Sequence, residues 1–123
     1  MEHRPDQDAF ALSLALRLLG LPADAEQIFH SLGRKGHVEE IDILRAARSM
    51  GAKAKACKSS VARLQEAPLP ALAFFKDRGW AVIGKVTPAL AIVQGGGDPC
   101  PKTLSLAEFA EAWNGRVILL ASR

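Results

Sequence analysis

Residues 38–58, VEEIDILRAARSMGAKAKACK, change their period partway along, and that change decides the fold class. Over Val38–Met50 the apolar residues recur at helical spacing, with Ile41, Leu44, Ala47 and Ser49 expected near one side. Gly51 closes that helix. Lys53–Lys58 then alternates small and charged residues, the period of a strand.

Upstream of the switch the chain reads as helix. Asp8–Leu19 (DAFALSLALRLL) is apolar nearly all round, interrupted only by Ser13 and Arg17, which predicts a central, buried helix. Asp8 is its expected N-cap and Gly20 its C-cap. A second helix is expected over Ala23–Leu32, stopped by Gly33. Downstream, Ser60–Gln65 suits one helical turn. Pro70–Phe75 and Trp80–Val86 form apolar runs joined by Lys76-Asp77-Arg78-Gly79, a hairpin signal. Leu90–Gln94 reads as a strand before the loop Gly95-Gly96-Gly97-Asp98-Pro99. Ser105 with Glu108 is a capping-box pattern opening a helix to Trp113, and Arg116–Leu120 is a last strand. The order, helices first and then a mostly antiparallel sheet carrying one late helix, is α+β.

The chain has 123 residues, 49% hydrophobic and 24% charged, which suits one domain with a real core rather than a disordered segment. Charge is uneven. Between Arg34 and Arg63 eight Lys/Arg residues face only Glu39, Glu40 and Asp42, a local +5 in a chain of net +3, so the remainder is acidic. Such a segment reads as a solvated face or as a surface for acidic proteins, lipid headgroups or nucleic acid. The N-terminus has no signal-peptide apolar region, and no apolar run reaches the ~18 residues a membrane span needs. A cytosolic domain is expected. The strand-like run ending at Arg123 suggests a piece of a longer chain.

Chemistry is sparse. His3, His30 and His37 are scattered and form no local ligand pair, so no metal is expected. No Lys-Ser/Thr pair follows the triple glycine at 95–97, which reads as a flexible connection rather than a phosphate loop. Cys57 and Cys100 form no disulfide framework. Cys57 lies beside Lys55 and Lys58 and could serve a thiol hydrolase, although a buried inert thiol is the commoner case. Cys100 sits between two prolines. Helices 23–32 and 38–50, with Arg45 and Arg48, also have the rough spacing of a helix-turn-helix DNA-binding regulator, with a long connection at 33–37.

Three stretches carry a family resemblance. They are Asp8 and its helix running into LLGLPAD, then ILRAARSMGAKAKACKSSVARL running into APLPALAFF, then TLSLAEFAEAW before GRVILL. In this order they resemble the bacteriocin-processing peptidase domain, family C39, at the N-terminus of certain ABC exporters. The resemblance implies a papain-like fold with N-terminal helices on an antiparallel sheet. It also implies where chemistry would sit. The nucleophilic Cys position is occupied by Ala9, the oxyanion Gln position by His3 and the base His position by Trp80. The orienting Asp falls at Gly95 or Gly96, or with a gap at Asp98.

A thioester mechanism needs thiolate and base together, so this pattern is similar to the peptidase-dead C39-like domains of type I secretion exporters. That resemblance implies several expectations. The domain should bind an unfolded RTX-type passenger and no nucleic acid. The whole transporter should be a homodimer at the cytoplasmic face of the bacterial inner membrane, with ATP and Mg in an ATPase part beyond transmembrane helices. The passenger is expected in an apolar slot made by Ala9, Phe10, Trp80 and whichever of Phe74 and Phe75 points outward. Trp80 reads equally as contact surface or as core.

Overall fold

A computed structural model describes residues 5–32, 38–76 and 79–122. Helices α1 (Pro5–Leu18), α2 (Ala25–Ser31) and α3 (Glu40–Ser49) come first. Strand β1 (Ala52–Lys58) and the turn α4 (Val61–Leu64) follow, then β2 (Ala71–Phe75), β3 (Gly79–Val86) and β4 (Leu90–Gly95). The chain ends with β5 (Lys102–Ser105), α5 (Leu106–Ala112) and β6 (Arg116–Ser122). The six strands form one antiparallel sheet in the order β1-β6-β2-β3-β4-β5. The fold is α+β.

Capping residues set most helix starts. Asp24 accepts from the Glu26 amide at α2, and reciprocal capping boxes, Glu39 with Asp42 and Ser105 with Glu108, open α3 and α5. Helix α1 departs from expectation. It begins at Pro5, so Asp8 lies within its first turns and is not its N-cap. On α3 the buried side chains are Asp42, Ile43, Ala46 and Ala47, whereas Ile41 is exposed. Asp42, Ile43, Ala46 and Ala47 form one stripe at i, i+1, i+4 and i+5, and Ile41 falls outside it.

Two clusters fill the two faces of the sheet. Helices α1, α2 and α3 cover one face with Leu12, Leu16, Ile28 and Ile43, meeting Leu72, Val82 and Ile118. Leu64 of α4 and Phe109 of α5 cover the other, meeting Phe75, Ile83 and Val117. Strand alternation does the sorting: Phe74 points to the α1 face and its neighbour Phe75 to the α5 face. Burial of side chains such as Phe75 and Phe109 contributes roughly 1.5–3 kcal/mol each. Strand β5, with one half-buried residue and three exposed ones, has too weak an alternation to be read from sequence.

Candidate functional site

The start of α1, the start of β3 and the end of β4 converge on the α1 face. Ala9 and Trp80 are 1% and 5% exposed and belong to one buried cluster. The Trp80 amide donates to Oδ1 of Asp8 at 3.3 Å, which ties the strand to the helix one residue before Ala9. Ala81 pairs with Gly95 on β4. The fold therefore brings Ala9, Trp80 and Gly95 to one place, and His3 lies outside the described residues.

Trp80 fills that place. Its ring meets Phe74 edge-on with centroids 5.7 Å apart, and its indole N–H donates to the carbonyl of Val38 at 3.1 Å. The expected open slot between Ala9 and Trp80 is not present, because both side chains are core. Phe75 is not part of the site either: it is fully buried on the opposite face, edge-on to Phe109. Of the five residues expected to line the slot, Phe10 is the one that is more than half exposed, at 54%.

The glycine loop, expected to be a flexible connection, is a close-packed contact. A Cβ added at Gly96 would come 1.7 Å from the carbonyl oxygen of Gln7, so only glycine lets the loop lie on the first turn of α1. Asp98 holds the loop: its carboxylate accepts the Gly95 amide at 2.9 Å, and its carbonyl accepts the Gln94 side-chain amide at 3.2 Å. The loop thus packs on the start of α1 beside buried Trp80.

What is open lies one helix face away. Phe10, Leu14 and Leu18 are spaced four residues apart along α1 and line up on one side. Phe10 and Leu18 are 54% and 59% exposed. Two cavities run beside this row and share Leu14 and Gln94. One of about 200 Å³ lies against Phe10, Arg17, Gly96 and Asp98, and one of about 140 Å³ against Leu18, Gly84, Ile92 and Pro101. Gly84 contributes no side chain, and a Cβ there would meet only the Ile92 carbonyl oxygen at 3.8 Å.

Two polar residues of α1 border the first cavity and tie the helix to the segment before α2. Ser13, 2% exposed, and Arg17 both donate to the carbonyl of Ala23 ahead of α2, at 3.1 and 3.0 Å. The helix thus buries Ala11, Leu12, Ala15 and Leu16, anchors Ser13 and the exposed Arg17 to the segment before α2, and leaves Phe10 and Leu18 toward solvent. Sequence reading took the nearly continuous apolarity of α1 as burial on all sides. The signal that it missed was the surplus: more apolar positions than one buried stripe uses.

The alternative chemistries find little support in the geometry. Cys57 on β1 is half-buried beside the α5-face cluster, and Cys100 is exposed in the β4–β5 loop. Among the described residues the histidine is His30, exposed on α2, which packs with α1 on the other face of the sheet. Helices α2 and α3 do not make a recognition pair: α2 packs on α1, while α3 packs on β1 and donates from Arg48 to the Ala54 carbonyl at 2.9 Å. Among the described residues no group of three or more His, Cys, Asp or Glu could hold a metal ion, and no helix is long and apolar enough to cross a membrane.

One ion pair fixes α3 to the sheet. Arg116 donates from Nε and Nη2 to both carboxylate oxygens of Glu40 at 2.8 Å. This hydrogen bonding lowers the Glu40 pKa and raises that of Arg116.

The architecture, helices on one face of a six-stranded antiparallel sheet with the start of α1 set against β3 and β4, is that of C39 peptidase domains. A double-glycine-motif protease from an AMS/PCAT transporter, solved in complex with its leader peptide, superposes with a TM-score of 0.85 at 17% identity, covering 97% of this chain and 86% of that one. The N-terminal peptidase C39-like domain of a toxin secretion ATP-binding protein from Vibrio parahaemolyticus gives 0.76 at 21% identity, covering 96% and 98%. The chain belongs to the Peptidase C39 family, whose model matches residues 2–123. It is 34% identical over 120 residues to the cyclolysin secretion/processing ATP-binding protein CyaB of Bordetella pertussis, covering 95% of this chain and 17% of that protein. It thus spans less than a fifth of such relatives.

Proposed function

We propose that the chain is a non-catalytic C39 domain of a type I secretion ABC exporter and that it holds an unfolded passenger protein, of the RTX class, during export. The observation that carries this reading is the state of Trp80. A buried indole, bonded to Val38 and packed edge-on with Phe74, stands where the family resemblance puts a general base, and Ala9 stands where it puts the thiol. Neither side chain can accept a proton or attack a carbonyl. Transmembrane helices and an ATPase part binding ATP and Mg belong, on this reading, to a longer chain working as a homodimer at the inner membrane.

The passenger contact moves from the closed cleft to the row Phe10, Leu14 and Leu18. Exposed apolar side chains beside open cavities suit a polypeptide that offers unburied side chains, and such contacts concentrate in a few large groups. Two assays test the reading. The chain should leave a double-glycine leader peptide uncut, and replacing Phe10 and Leu18 by Ser should weaken binding of denatured passenger by about tenfold or more with the fold intact. Cleavage that is lost on Cys57→Ser or Cys100→Ser would establish the thiol-hydrolase alternative instead.

A further inference from the structure

Six exposed cations border the β1 edge of the sheet: Arg45 and Arg48 on α3, Lys53, Lys55 and Lys58 on β1, and Arg63 on α4. Helix α3 packs on β1, and Arg48 reaches over that edge to the Ala54 carbonyl. Lys53 and Lys55 share the face of β1 opposite buried Ala52 and Ala54, so positive charge wraps the edge from both sides. The carboxylates at the start of α3 are otherwise engaged: Glu39 and Asp42 in the capping box, and Glu40 with Arg116. Among the described residues, none of the six forms an ion pair.

We propose that this rim rests on a surface of anionic lipid headgroups. Three observations favour a lipid surface over other polyanions. The rim lies along an edge strand of the sheet, and the two cavities that carry the passenger proposal lie beside α1 and β4, across the sheet from β1. No Phe, Trp or Tyr occurs between His30 and Ala73, so the rim lacks the large stacking platforms of single-stranded nucleic-acid sites. Ile41, 44% exposed, shares a face of α3 with Arg45 and Arg48, and an apolar side chain among cations is the pattern of an interfacial helix face. This surface is distinct from the passenger row and does not depend on it.

The test is flotation of the chain with vesicles of phosphatidylcholine alone or mixed with phosphatidylglycerol. Binding is expected only to the mixed vesicles. It should be lost as salt rises from about 0.1 to about 1 M, where the Debye length falls from ~10 to ~3 Å. Each cation near such a surface contributes roughly fivefold, so the R45E/K53E/K55E variant should lose about a hundredfold or more. A control reversing Lys76, Lys85 and Lys102, exposed cations outside the rim, changes net charge equally and should retain most binding. If the reversed rim impairs folding, judged by circular dichroism, R45Q/K53Q/K55Q replaces it with a smaller loss expected. Equal losses in rim and control variants, or no binding of the wild type to mixed vesicles, would overturn the proposal. So would tighter rim-dependent binding to polyglutamate or to duplex DNA at the same salt.

Discussion

Trp80 and Trp113 stand on opposite faces of the same sheet and are built alike. Each is 7% exposed or less, each packs with phenylalanine rings, and each donates its indole N–H to a backbone carbonyl. They differ in reach. Trp113 bonds Arg116, three residues on, and closes the corner between α5 and β6. Trp80 bonds Val38 through its ring and Asp8 through its amide, 42 and 72 residues away, and so ties β3 to α1 and to the approach to α3. One is a local staple and the other a junction of the fold. The difference teaches that a position at which the family resemblance expects a base has here become a structural centre.

Replacing each tryptophan by alanine measures that difference. Both changes should cost about 3–5 kcal/mol by urea denaturation, because each empties a large core volume. Trp80→Ala should cost about 1 kcal/mol more, since it strands a carbonyl on Val38, which is 2% exposed, whereas water can reach half-buried Arg116. Equal costs would mean that the indole bond to Val38 adds nothing, since the backbone bond to Asp8 survives in both.

Gly96 sharpens the comparison further, because the Trp80 side is closed by a loop. Gly96→Ala should destabilise by about 1–3 kcal/mol, as the new methyl forces the loop off Gln7. An unchanged midpoint would show that the close approach of the loop to Gln7 adds nothing to stability.

The smallest effect belongs to the Trp113 side, where Arg116 both accepts the indole and holds Glu40. Hydrogen bonding to Arg116 lowers the folded pKa of Glu40 below its ordinary value of 4.5. Its contribution is therefore present above that value and lost as pH falls through the lowered one. Glu40→Gln should be slightly less stable than wild type at neutral pH, and the gap should close in acid. A gap that persists at the lowest pH would assign the effect to packing. The pair is partly exposed, so the loss should be modest.

Much of this architecture could be read directly from the sequence. The switch from helix to strand after Gly51, the 71–86 strand pair and the Ser105–Glu108 box all depend on local spacing, and each is where it was expected. The candidate site was harder to read. The choice between Phe74 and Phe75 turns on strand register, which places neighbours on opposite faces. The burial of Trp80 depends on Val38, far off in the chain. The exposed row on α1 was hidden by the helix's apolar surplus, because Phe10 and Leu18 lie outside the buried stripe of Ala11, Leu12, Ala15 and Leu16.

The most direct test of the central claim is titration of isotope-labelled chain with unfolded passenger, following backbone amide shifts. The account requires shifts along Phe10, Leu14, Leu18, Ile92 and Gln94, with small changes at Trp80 and no cleavage product. Shifts confined to the α5 face, or passenger cut during the titration, would contradict it.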